Sequence, residues 1–134
     1  MIYVTQGHER GIGLEIFLKS FLLLSKEEKE DVTLIVEEKD LDTNLVDLKL
    51  SRANFKDLKV LHPKLKNKAP SSTSSLITAL ELITATDILV TLPTSKDQLI
   101  LDNKNMAGYT EFFRSYYKNA NIVRIDVKKS LMHN

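Results

Sequence analysis

Three short strings in this 134-residue chain carry the residue types that could hold an anion. The first is Gly7-His8-Glu9-Arg10-Gly11-Ile12-Gly13. Such a loop, set between a strand and a helix, offers bare backbone amides and a helix amino terminus to a ligand. Its G-x-x-x-G-x-G spacing matches neither the dinucleotide fingerprint nor the Walker A loop, so a simple tight turn stands beside the ligand-loop reading. The second string is Thr91-Leu92-Pro93-Thr94-Ser95-Lys96, where Thr94 and Ser95 could donate hydrogen bonds and Lys96 could neutralise a phosphate. A capped turn with one solvated lysine accounts for it equally well. The third is Gly108-Tyr109-Thr110-Glu111-Phe112-Phe113. Its glycine permits close approach, and Thr110 is placed as a helix N-cap.

Each string needs an element to position it. Ile2 to Thr5 is a β-branched apolar run that predicts a strand, and Leu14 to Leu24 predicts a helix with Ile16, Phe17 and Phe21 near one face. Ser25-Lys26-Glu27-Glu28 has the form of a capping box, and Val32 to Val36 predicts a second strand. Leu41, Leu45 and Leu48 recur at helical spacing in a polar segment, and Leu58 to Leu61 reads as a third strand. Lys64 to Ser75, with Pro70, four serines and a threonine, reads as a loop that supplies caps to a helix from Leu76 to Ala85. Asp87 to Leu92 predicts a buried strand stopped by Pro93, and Asp97 to Leu101 a helical turn. Thr110 to Tyr117 predicts a helix and Asn121 to Val127 a last strand. Strands alternating with helices imply crossover units, hence an α/β fold of three layers around a mainly parallel sheet. No internal repeat or linker divides residues 1–134, so one domain is expected.

Composition limits the partners. There are 19 basic and 18 acidic residues, a formal charge of +1, which gives no overall footprint for nucleic acid. The basic run Lys64-Leu65-Lys66-Asn67-Lys68 has no interleaved aromatics and reads as a solvated loop. The longest apolar stretch, Ile16 to Leu24, is interrupted by Lys19 and Ser20, so no membrane span is expected. The first residues show no basic region followed by an apolar run, and there is no cysteine, so a cytoplasmic protein without disulfides or thiolate metal sites is expected. His8, His62 and His133 are scattered, and no metal ligand is assigned among them.

Taken in order, Gly7 to Glu15, Val90 to Lys96 and Gly108 to Phe112 resemble the 4-hydroxythreonine-4-phosphate dehydrogenase family. That family carries G-x-x-x-G-I-G-x-E, then V-T-x-P-x-[SN]-K, then G-[HY]-T-E-F, and the likeness covers about residues 1 to 120. The resemblance implies an isopropylmalate-dehydrogenase-like fold and a dimer. It also implies oxidation of a small phosphorylated hydroxy amino acid with NAD and a divalent metal, on the route to pyridoxal phosphate. It further implies that Lys96, Tyr109 and Thr110 contact substrate, and that Gly7, Gly11, Gly13, Thr94 and Ser95 form the ligand loops.

The departures from that pattern narrow its implications. His8, Glu9, Arg10 and Leu14 replace four residues of the family's G-D-P-A-G-I-G-P-E loop, and Tyr109 stands where histidine is usual. Tyrosine can donate a hydrogen bond but carries no positive charge near neutral pH. The three histidines that hold the family's metal lie beyond its G-H-T-E-F string; only His133 lies beyond Gly108 here, in no such motif. The expectation is a partial homologue that is inactive alone, with neither NAD nor metal bound productively. Self-association through apolar surface left exposed is expected, or a second polypeptide that supplies the missing half. The alternatives are a non-catalytic module for a small phosphorylated ligand and an interaction scaffold. A phosphate-receiver domain is disfavoured, because no acidic pair follows the first strand.

Overall fold

A computed structural model describes residues 1–9, 11–64 and 69–117. Its sheet has four strands: β1 (Ile2–Thr5), β2 (Val32–Ile35), β3 (Lys59–Leu61) and β4 (Ile88–Thr91). They lie in the order β3-β2-β1-β4 and every pairing is parallel. The helices are α1 (Ile12–Phe21), α2 (Lys26–Glu30), α3 (Glu38–Asp47), α4 (Ser71–Leu82) and α5 (Tyr109–Tyr116). Single turns of 3-10 helix occupy Arg52–Phe55 and Lys96–Gln98. The chain is thus an α/β protein with a parallel sheet. No helix among the described residues is long and apolar enough to cross a membrane.

Side chains alternate across a strand, so each strand sends residues to both faces. Val4, Val32, Leu34 and Val36 join Leu14, Leu18 and Phe21 of α1 and Leu41 and Leu45 of α3 in one cluster. On the opposite face, Leu76 and Leu80 of α4 pack with Leu99, Met106 and Phe112, and Leu89 of β4 leans on them. Helices therefore cover both faces. The buried stripe of α1 is Leu14, Leu18 and Phe21; Ile16, expected to face inward, is 54% exposed. The apolar run there is wide enough to admit two stripes, and the one matching Val4 and Leu34 is buried.

Ser25 and Glu28 form the expected capping box and start α2. Three expectations fail. The serine-rich segment is not a loop up to Ser75: α4 begins at Ser71, and Ser71, Ser72, Thr73, Ser74 and Ser75 are all buried. Serine and threonine compete with the backbone in an isolated helix, but here their hydroxyls bond to other elements instead. Strand β4 is not buried throughout, since Ile88 is 57% and Val90 40% exposed. Among the described residues it pairs only with β1 and is the outer strand of the sheet they form. Asp97 to Leu101 is not one helical turn: the 3-10 turn ends at Gln98 and leads into a hairpin of β5 (Ile100–Leu101) and β6 (Lys104–Asn105). Asp102 and Asn103 connect these strands at φ 52° and 63°, the left-handed angles a two-residue hairpin loop requires. The strand expected at Asn121 to Val127 lies outside the described residues.

Candidate functional site

Because the strands are parallel, all their carboxyl ends open on one edge of the sheet. Three loops meet there on Leu92 and Pro93. Gly7 leaves β1 at φ 71°, and a Cβ on it would stand 2.8 Å from the Leu92 carbonyl oxygen and closer still to that of Pro93. The His8 N–H donates to the Pro93 carbonyl at 3.0 Å. A Cβ on Gly13, in the first turn of α1, would meet Pro93 Cδ at 2.9 Å and Leu92 Cβ at 3.3 Å. Tyr109, the first residue of α5, donates its hydroxyl to the Leu92 carbonyl at 2.5 Å. Gly11 takes no part in this junction; its N–H donates to the His8 carbonyl at 3.1 Å and it precedes α1.

The remaining candidates lie around this junction. Thr94 accepts a bond from the Ser72 hydroxyl at 2.8 Å, which ties the second string to α4. Ser95 donates to the Asp97 carboxylate, and that bond is the main reason Asp97 is held below the usual carboxylate range, with nearby His8 adding a small favourable field. Lys96 opens the 3-10 turn and is exposed. Thr110 is not the N-cap of α5: Gly108 holds that place, Tyr109 is the first helical residue, and Thr110 is exposed as the second. An extended glycine at 171° satisfies the N-cap backbone without a side chain. A cleft of ≈ 420 Å³ beside His62, Lys64, Ser74 and Glu81 and another of ≈ 380 Å³ beside Glu9, Glu15 and Asp47 lie elsewhere; neither Lys96 nor Thr110 lines them.

Residues that sequence reasoning passed over hold this edge together. The side chain of Gln6, 1% exposed, accepts from the Glu37 N–H at 2.8 Å and donates to Asp40 at 2.8 Å. Ser75 donates to the Ile35 carbonyl at 2.5 Å and accepts from the Gln6 N–H at 3.1 Å, joining α4 to β1 and β2. Thr73 donates to the Gln98 carbonyl at 2.6 Å and accepts from the Ile100 N–H at 3.0 Å. The clue was spacing: Ser72, Ser75, Leu76 and Ala79 continue one helical stripe, which a count of turn-forming residues obscures. His62 follows the last residue of β3 and sets Nδ1 2.8 Å from the Val36 carbonyl. Burial, reinforced by Asp40 and opposed by His62, raises the Glu37 carboxyl above its ordinary range.

Burial also pushes the Tyr109 hydroxyl up to about 12, against a smaller opposing effect from the Ser72 hydroxyl. Its neutral form is therefore favoured by the fold. That contribution to stability is complete below the unfolded tyrosine value near 10 and is lost as pH rises through about 12. Ultraviolet titration should show a late-ionising tyrosine that disappears in Tyr109→Phe. If Tyr109→Phe leaves the titration curve unchanged up to the alkaline limit, Tyr109 is not held in this way.

Among the described residues no three His, Asp or Glu side chains stand together in a group that could hold a metal. Comparison with protein-family models, with curated proteins and with solved structures finds no match to the chain.

Proposed function

We propose that the chain is a partial relative of the 4-hydroxythreonine-4-phosphate dehydrogenases, with the isopropylmalate-dehydrogenase-like fold this implies, and that it binds a small phosphorylated hydroxy amino acid at the carboxyl edge of its sheet. On this reading it is a binding unit that does not complete the oxidation by itself. The observation that carries the proposal is the junction at Leu92 and Pro93, where the glycine loop, the Thr91 to Lys96 segment and Tyr109 meet. The first string lies far in sequence from the other two, and the three meet on the edge where open α/β sheets receive ligands.

The chemistry offered there suits an anion. Tyr109 is occupied in bonding Leu92, so it acts as a strut, while Lys96 supplies the positive charge. Thr110 stands at the start of α5, where the helix dipole favours negative charge. A hydrogen bond to a charged group contributes about 1.5–3 kcal/mol. Lys96→Ala and Thr110→Val should thus each weaken binding of 4-hydroxythreonine 4-phosphate by roughly tenfold or more, read by calorimetric titration. Their urea midpoints should stay near that of the parent, since both side chains are exposed. Unchanged affinity in both variants would remove the site assignment.

A further inference from the structure

The crossover from β3 to α4 holds the cleft of ≈ 420 Å³, a size within the ~300–1,000 Å³ range of small-molecule sites. None of the described residues that line it takes part in the junction at Leu92 and Pro93. One wall is a single face of α4. Ser74, Ile77, Thr78 and Glu81 recur there at the i, i+3, i+4, i+7 spacing of one helical stripe. The facing wall is His62 and Lys64, which follow β3.

Two polar groups on these walls are left over. Ser74 is 5% exposed; its N–H donates to the Pro70 carbonyl, and its own carbonyl accepts from Thr78. Its hydroxyl has no partner among the described residues. The neighbouring hydroxyls of Ser72, Thr73 and Ser75 lie on other sides of the helix and bond to Thr94, Gln98 and Ile35. A hydroxyl so deeply placed on the cleft face calls for a partner that enters the cleft. His62 supplies the second group. The Val36 carbonyl can only accept, so Nδ1 carries the proton, and the neutral ring keeps Nε2 as an unengaged acceptor.

The charges narrow the occupant. Lys64 and Glu81 stand on the two walls, yet neither forms an ion pair among the described residues. A simple anion would meet like charge at Glu81, and a simple cation would meet it at Lys64. A small molecule that carries both signs satisfies both. Ala69 and Ile77, half-buried, add apolar surface to the same cleft.

We propose that this cleft is a second site, which binds a free α-amino acid with an apolar side chain. The carboxylate lies towards Lys64 and accepts from the Ser74 hydroxyl. The ammonium lies towards Glu81 and donates to His62 Nε2, and the side chain rests on Ala69 and Ile77. The site stands apart from the phosphate ligand proposed above, and neither depends on the other.

The test is calorimetric titration of the full chain with L-isoleucine. Saturable binding is expected. N-acetyl-L-isoleucine and L-isoleucine methyl ester, each lacking one charge, should bind at least about fivefold more weakly, the upper range for an exposed ion pair. Lys64→Gln and Glu81→Gln should each weaken L-isoleucine by a similar factor. Ser74→Ala should also weaken it while leaving the urea midpoint equal or higher, which a purely structural serine would not do. Lys96→Ala should leave it unchanged. No saturable binding overturns the proposal, as does equal binding of the acetylated or esterified probe. Loss in Lys96→Ala with none in Lys64→Gln or Glu81→Gln would move the amino acid to the Leu92 junction, so this site would fall and the earlier one stand.

Discussion

Gly7→Ala is expected to lower the unfolding free energy by about 2–5 kcal/mol. Two effects add. A residue with a side chain placed at a left-handed φ costs about 1–2 kcal/mol, and Gly7 sits at φ 71°. The new methyl would also press on the Leu92 carbonyl oxygen at 2.8 Å and on that of Pro93, both of them backbone atoms that cannot rotate aside. Overpacking of this kind costs typically 1–3 kcal/mol, here at the upper end. Domains of this size are stable by about 5–15 kcal/mol, so a large share would vanish. Gly108→Ala is the control, since its Cβ meets nothing within 4 Å and its backbone is extended. Urea unfolding of the two variants should separate them clearly. Equal midpoints would show that the Gly7 turn opens without penalty and that the junction it closes is loose.

The second large effect is expected at Ser75. Removing its hydroxyl in Ser75→Ala leaves the Gln6 N–H and the Ile35 carbonyl without their partner inside the protein. Each unsatisfied buried group costs about 1–3 kcal/mol, so a loss of about 2–6 kcal/mol is expected. Thr78→Ala is the matched comparison: among the described residues its hydroxyl bonds to the Ser74 carbonyl of its own helix, and that carbonyl loses little. Hydrogen exchange should also report the change locally, with the Gln6 amide losing protection before the centre of β2. A Ser75→Ala protein as stable as Thr78→Ala would mean that water enters and replaces the hydroxyl.

The strands were legible because their signal is local. Ile2 to Thr5, Val32 to Val36 and Leu58 to Leu61 are short apolar runs rich in β-branched residues, and each falls on or beside a strand of the sheet. Helix α2 was legible because its capping box closes within four residues. What was not legible depends on partners remote in sequence. Ser72 is a helix residue because Thr94 takes its hydroxyl, and Ser75 because Ile35 and Gln6 do. The local stripe of Ser72, Ser75, Leu76 and Ala79 hints at the helix, but the groups that take these hydroxyls lie 22 or more residues away. The same holds at the candidate site. The glycine loop and Tyr109 stood out by type and spacing, whereas Gln6 is a lone polar residue after a strand. Its importance comes from Glu37 and Asp40, which the first crossover, from β1 to β2, brings beside it.

The order of the sheet also sets a problem in time. Ile2 of β1 lies between Val32 of β2 and Ile88 of β4. During synthesis from the amino end, the first of these pairings is complete after one crossover unit. The second must await nearly every other element of the sheet. Until then β1, made before the other three strands, presents an open row of amides and carbonyls, beside which only another chain can pair. Such long-range parallel pairing is slow, and the interval before it closes is when aggregation competes best with folding. The position of β1 inside the sheet thus makes the earliest of the four strands the last to be sealed.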